Sequence, residues 1–266
     1  MIQRTHKLNL KKLPKAAREH INQLERIRSD FVANVSHELR TPLTVIRGYL
    51  ETLLKKEVRD TKSYQKIFQQ MYQHSTRMET IIDDLLLLSR LESDDHPTKE
   101  KRNVNVSEIL KMLCADAERI SGEKQHLIQL KAEPNLYISG SEEELKSLFS
   151  NIIINSVKYT PSKGWINVKW YRDDDRAVFS VVDTGIGIAK IHIPRITERF
   201  YRVDKARSRE SGGTGLGLAI VKHVLMRHDG ELHIESKPGK GSIFTCRFPL
   251  TFQTIKPTRN TAVRRD

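Results

Sequence analysis

Val35-Ser-His-Glu-Leu-Arg-Thr-Pro-Leu43 sets a histidine, an adjacent acid and a proline within a segment of strong helical periodicity. Apolar residues recur at Leu24, Ile27, Phe31, Val35, Leu39, Leu43, Ile46, Leu50 and Leu53, in steps of three or four. That spacing predicts an amphipathic helix. His37 lies two residues from both Val35 and Leu39, so at ~100° per residue it points away from their seam, toward solvent. Glu38 can hydrogen-bond one imidazole nitrogen, fixing the tautomer and accepting a proton as the other nitrogen attacks. Thr41 follows one turn later on the same face, where it can orient a water. Pro42 has no N–H, so the Glu38 carbonyl loses its helical partner and a bend is expected beyond the site. Taken alone, a His-Glu pair is a surface histidine among solubilising charges. Its meaning depends on what lies downstream.

Immediately downstream, Ile67, Met71, His74, Met78, Ile81, Leu85 and Leu88 alternate steps of four and three, a heptad seam. The polar residues 55–63 join the two seams into an antiparallel helical hairpin. A lone hairpin leaves its apolar face uncovered, and a second copy completing a four-helix bundle would bury it. The charged, proline-containing residues 93–103 break the pattern. Helices are then expected over 106–119, 142–158 and 215–227. Strands are expected over 127–131, 166–171, 177–182, 232–236 and 242–249. Helices with antiparallel strands imply an α+β sandwich, one sheet covered by helices.

Three motifs in this second half suit a nucleotide. Asn151 and Asn155 are one turn apart on one helix face, and an Asn carbonyl is a suitable hard ligand for Mg²⁺. Lys158 and Tyr159 close that helix, within reach of phosphates. Asp183-Thr-Gly-Ile-Gly-Ile188 ends an apolar strand. Its glycines, Gly185 and Gly187, permit a tight turn, and its acid can accept a hydrogen bond from an amino group such as that of adenine. Ser211-Gly-Gly-Thr-Gly-Leu-Gly217 leads into an apolar helix, a natural phosphate cradle and mobile cover. Between these, Arg199, Arg202, Lys205, Arg207 and Arg209 surround Phe200 and Tyr201, supplying cations for phosphates. Neither a dinucleotide fingerprint nor a P-loop is present.

Composition narrows the classes further. The 266 residues are 38% hydrophobic and 30% charged, with a formal net charge of +13. The excess of cations fits an acidic partner. Direct nucleic-acid binding is not expected, since no zinc-finger spacing, RNA-binding aromatic motif or helix-turn-helix accompanies the charge. Cys114 and Cys246 are far apart, without metal-site spacing, and read as reduced residues of a cytoplasmic protein. No apolar run approaches the ~20 residues of a membrane span.

Taken in order, these segments resemble the catalytic core of the sensor histidine kinases of two-component signalling, over residues 24–250. The run from Thr197 to Arg209 is similar to kinases of the phosphate regulon. The resemblance implies a dimeric hairpin that forms a four-helix bundle, followed by an α/β-sandwich ATP-binding domain of the type shared with gyrase. The boundaries it implies are 1–23 for a basic segment, 24–92 for the hairpin, 93–103 for a linker, 104–250 for the ATP-binding domain and 251–266 for a basic tail. It implies ATP and Mg²⁺ as cofactors and a response-regulator receiver domain as partner. By matched position, His37 would be the phosphoacceptor, Glu38 the general base and Thr41 the phosphatase residue. Asn155 would hold Mg²⁺ beside Asn151; Lys158, Tyr159 and Arg202 would contact phosphates, and Asp183 would read adenine. Gly185, Gly187, Gly213, Gly215, Leu216 and Gly217 would shape the pocket and its cover. Relatives of that kind carry membrane-spanning and PAS regions ahead of the hairpin, and neither is expected here. The alternatives are a stand-alone ATPase of the same fold, which has no use for His37 on a hairpin, and a pseudokinase scaffold, which should have lost a catalytic residue.

Overall fold

The computed structural model describes residues 14–55, 60–93, 102–204 and 213–250. Residues 1–13, 56–59, 94–101, 205–212 and 251–266 lie outside them. With them go most of the expected linker, Lys205, Arg207 and Arg209, and the basic tail. The chain forms two compact units, one of residues Met1–Leu87 with Arg199–Leu216, the other of Leu88–Glu198 with Gly217–Asp266.

Helix α1 spans Lys15–Leu54 in the first unit, and helix α2 spans Thr61–Glu92, its residues from Leu88 onward belonging to the second unit. α1 starts ahead of the seam that begins at Leu24. Pro14, whose fixed φ suits a helix start, precedes the good helix formers Lys15, Ala16, Ala17, Arg18 and Glu19. The helix runs unbroken through Pro42, which is buried. Thr41 and Thr44 return their hydroxyls to the carbonyls of His37 and Arg40, at 3.1 and 2.9 Å. This i−4 bonding occupies threonine hydroxyls within helices. The second seam closes as expected at Ile81 and Leu88, both fully buried. Elsewhere the hairpin shows an uncovered apolar face: Leu43 is 56% exposed, Leu50 44% and Leu86 52%.

The second unit is a five-stranded sheet with helices on one face. Its elements are β1 (Arg102–Asn105), α3 (Val106–Ser121), a 3-10 turn (Gly122–Lys124), β2 (Leu127–Ala132), β3 (Tyr137–Gly140) and α4 (Glu142–Tyr159). They continue with β4 (Trp165–Asp173), β5 (Arg176–Asp183), α5 (Gly217–Arg227), β6 (Glu231–Lys237) and β7 (Gly241–Pro249). The sheet order is β2-β4-β5-β7-β6, and β1 pairs with β3 alone. Along β4, Ile166, Val168 and Trp170 are buried while Trp165, Lys169 and Tyr171 face out. That is the period-two pattern of a sheet with one face covered. α3 packs on β2, α4 on β4 and β5, and α5 on α4 and β6. Phe149 of α4 anchors the core, its ring centroid 4.7 Å from Phe179 and 6.2 Å from both Trp170 and Phe248.

Two expectations need correction. The strands are not all antiparallel: β2 runs parallel to β4, with Leu127 opposite Trp165. The chain between them passes through β3 and α4, the crossover that a parallel pair requires. The strands β1 and β3 were also not expected, and β1 starts at Arg102, inside the span read as linker. Each is four residues long, too short for alternation to show.

Candidate nucleotide and phosphotransfer sites

In the second unit the site is organised by Asp183, the last residue of β5, only 6% exposed. Its Oδ1 accepts the backbone N–H of Gly185 at 2.8 Å and of Ser242 at 3.2 Å, and its Oδ2 accepts the Ser156 hydroxyl at 3.4 Å. Burial pushes this carboxyl above its ordinary range, and these three hydrogen bonds oppose that shift without cancelling it. The turn that follows has no spare room. A Cβ on Gly185 would stand 2.5 Å from Asp183 Oδ1 and 2.9 Å from the Tyr159 carbonyl oxygen. Gly187 adopts φ +68°, and a Cβ there would stand 2.1 Å from the Lys237 carbonyl oxygen. Backbone bonds pin Ile186 to both neighbours: its N–H reaches Tyr159 O at 3.1 Å, and its carbonyl accepts Gly239 N–H at 2.8 Å.

Helix α4 supplies the other wall. Ser141 caps it, accepting the Glu144 N–H at 3.4 Å, and Glu142, Glu143 and Glu144 fill the first turn, where acids suit the helix dipole. Asn151 Nδ2 donates to the Ser147 carbonyl at 3.0 Å, and its Oδ1 faces Gly217, where a Cβ would come within 2.2 Å. The small residue that opens α5 therefore makes room for Asn151. Asn155 is half-buried, and among the described residues its side chain has no hydrogen-bond partner, as suits a ligand for an added group. Lys158 Nζ lies 5.6 Å from the ring centroid of Tyr159. The C-terminus of α4 is held by residues the sequence did not single out. Lys124 donates to the carbonyls of Val157 and Lys158 at 3.2 and 3.1 Å, and His126 Nε2 lies 3.0 Å from the Thr160 carbonyl. A cation at a helix C-terminus also complements the dipole.

The first unit holds the other set of predicted residues. His37 is exposed on α1, as the seam geometry predicts. Glu38 is half-buried. Its Oε2 accepts Arg77 Nη2 of α2 at 3.0 Å, and its Oε1 accepts Arg202 Nη1 at 3.5 Å. Arg202, expected against phosphates, thus engages Glu38 here. The Arg199–Leu216 segment meets both helices. The Phe200 ring lies 5.8 Å from that of Phe31, over which the Arg199 guanidinium sits at 5.4 Å. Phe200 N–H donates to the Gly215 carbonyl at 2.9 Å, and Gly215, at φ +73°, leaves only 2.8 Å between a Cβ and Phe200 Cα. Gly213 lies between the undescribed residues 205–212 and Thr214. Thr214 donates to Asp84 Oδ2 at 3.0 Å and accepts the N–H of buried Leu216 at 3.1 Å.

The predicted residues therefore gather in two sets. Asn151, Asn155, Lys158, Tyr159, Asp183, Gly185, Gly187 and Gly217 belong to the second unit; His37, Glu38, Thr41, Arg202, Gly213, Gly215 and Leu216 belong to the first. Sequence reasoning missed Arg77, Asp84 and Thr214. A signal for two of them exists: Arg77 and Asp84 are seven residues apart and directly precede the seam residues Met78 and Leu85. Charges at heptad spacing beside a seam point at a neighbouring element.

Comparison with known proteins agrees with this geometry. Residues 27–94 match the His Kinase A (phospho-acceptor) domain, and residues 140–252 match the histidine kinase-, DNA gyrase B- and HSP90-like ATPase domain. The chain belongs to the sensor histidine kinases. Within them it is PhoR-like. It is 54% identical over 228 residues to the phosphate regulon sensor protein PhoR of Pseudomonas aeruginosa, covering 86% of this chain and 51% of the relative. It is 38% identical over 229 residues to PhoR of Haemophilus influenzae, covering 86% of this chain and 53% of the relative. The chain spans about half the length of these curated relatives. Its fold is that of the histidine kinase ThkA, solved in complex with the response regulator protein TrrA. The TM-score is 0.66 at 21% identity, over 86% of this chain and 64% of that one. No described helix is long and apolar enough to cross a membrane.

Asp84 yields a pH test. Burial pushes its carboxyl from 3.8 up to about 6, against the Thr214 hydrogen bond and with help from Asp83. Between those values the folded chain keeps a proton that the unfolded chain has lost, so stability falls as pH rises through the window and stays lower above it. Asp84→Asn keeps an acceptor for Thr214 and cannot ionise. Thermal melts should show the variant gaining on wild type from about pH 4 to about pH 6, with a constant difference beyond.

Proposed function

We propose that the chain binds ATP with Mg²⁺ in the second unit and transfers the γ-phosphoryl group to His37. An imidazole nitrogen attacks γ-phosphorus, the bond to the β,γ-bridging oxygen breaks and ADP leaves, and Glu38 accepts the ring proton. The phosphoryl group then passes to an aspartate of a response-regulator receiver domain, and Thr41, whose hydroxyl proton is given to the His37 carbonyl, accepts from and so orients a water that hydrolyses the resulting acyl phosphate. Asp183 accepts a hydrogen bond from the adenine amino group, Lys158, Tyr159 and Arg202 contact the phosphates, and Asn155 would hold Mg²⁺, which would supply positive charge against them. The observation that supports this reading most is the exposed imidazole of His37 next to a carboxylate, on a chain that also carries a buried strand-end acid satisfied by backbone N–H groups. The solved complex of ThkA with a response regulator, and the likeness to PhoR, support a receiver partner and phosphate-linked signalling. Both ATP and receivers place the reaction in the cytoplasm.

Labelled ATP tests this. Wild-type chain should gain an acid-labile, base-stable phosphoryl group that moves to a receiver domain. His37→Gln should abolish incorporation and leave ATP binding intact. Asp183→Asn should weaken ATP binding by roughly 1.5–3 kcal/mol, the scale of a charge-assisted hydrogen bond. Label retained by His37→Gln would overturn the assignment, and ATP hydrolysis without incorporation would point to a simple ATPase.

A second copy of the chain is the partner we propose for the uncovered hairpin face. Light scattering at micromolar concentration should give twice the chain mass of 30.8 kDa. Leu43→Lys with Leu86→Lys should shift it to monomer or aggregate, because a charge would be buried in the bundle.

A further inference from the structure

We infer that Arg77 is a positioning residue for the transfer to His37, acting by holding the Glu38 carboxylate; the inference rests on the proposed role of Glu38. Neighbouring residues on a helix diverge by ~100°, so being next to His37 does not by itself aim Glu38 at the imidazole. Its side chain has three rotatable bonds, and on an open helix face it would sample many positions. Here one oxygen is fixed. Oε2 receives Arg77 Nη2 at 3.0 Å, and both side chains are largely out of water, at 20% and 21% exposure. A partly desolvated guanidinium with a planar fork sets a carboxylate's orientation better than an ammonium does.

The location of the pair matters as much as its geometry. It joins α1 to α2 at the very residue that follows the phosphoacceptor, in a helix of 40 residues. The two carboxylate oxygens are also held unequally. Oε1 meets Arg202 at 3.5 Å, the longer bond, and Arg202 comes from the Arg199–Leu216 segment and not from the hairpin. Arg77 is the fixed holder, and the oxygen it leaves to Arg202 is the one that can be released to take the proton from His37. On α2, Arg77 lies seven residues before Asp84, which bonds Thr214 of the same segment. One stripe of α2 thus positions the base and receives the segment that carries Arg202.

Initial rates of autophosphorylation by the full chain, at varied MgATP and pH, test this. Arg77→Ala should lower kcat by about ten- to a hundredfold, the range for a displaced catalytic group, with KM for ATP changed less than about twofold. Arg77→Lys should recover part of the loss. Arg77→Met, which keeps the aliphatic stem, should behave as Arg77→Ala while melting and dimerising like wild type, so misfolding of the alanine variant is not an escape. In a Glu38→Gln background Arg77→Ala should cause no further loss, since the two act as one unit. An equal loss in that background, or a raised KM with unchanged kcat, would overturn the inference and leave Arg77 a structural link. Wild-type kcat in Glu38→Gln alone would overturn the role of Glu38 itself, and the inference with it.

Discussion

A carboxylate held out of water at the end of β5 is the constraint on which the ATP-binding unit depends. Leaving a buried acid unsatisfied is expensive, so the surrounding chain is committed to supplying its partners. Gly185 and Ser242 give backbone N–H groups, Ser156 gives a hydroxyl, and each comes from a different element. β7 must approach so closely that a Cβ on Gly241 would stand 1.9 Å from the Asp183 carbonyl oxygen, and Gly241 takes φ +94°. The register follows, with Asp183 opposite Ser242 across the antiparallel β5–β7 pair. The glycines of the turn are thus a consequence of the acid: they let backbone donors reach it from two sides.

The hairpin repeats this logic in a more open setting. Glu38 is a carboxylate shared by two guanidiniums, one from the partner helix and one from the Arg199–Leu216 segment. The segment itself is tied at both described ends, by the Phe200 backbone to Gly215, by the Phe200 ring to Phe31 and by Thr214 to Asp84. Charge-assisted bonds of this kind are stronger than neutral ones, so the two guanidiniums fix the carboxylate more firmly than neutral donors would.

Much of this was legible in the sequence because its causes are local. The three-and-four spacing from Phe31 to Leu53 specifies a helix face whatever surrounds it, and it correctly turned His37 outward. The apolar run before Asp183 and the glycines after it announced a buried strand and a tight turn. What stayed hidden depends on contacts between distant residues. The parallel β2–β4 pair reflects where a crossover ends, which no property of Leu127–Ala132 reveals. Lys124 is one lysine among many until α4 presents its C-terminal carbonyls. The resemblance implies a phosphate contact for Arg202, whereas its bond to Glu38 spans 164 residues and leaves no local signal.

In the proposed reaction Asp183 reads the adenine amino group of the nucleotide whose phosphoryl group ends on His37. Autophosphorylation of the wild-type chain with ATP and with inosine triphosphate tests it most directly. Inosine presents a carbonyl oxygen where adenine presents an amino group, so two acceptors would face each other at Asp183. With the inosine nucleotide kcat/KM should fall by roughly ten- to a hundredfold, the cost of one charge-assisted hydrogen bond. Equal rates with both nucleotides, or no phosphoryl group on His37 with either, would contradict it.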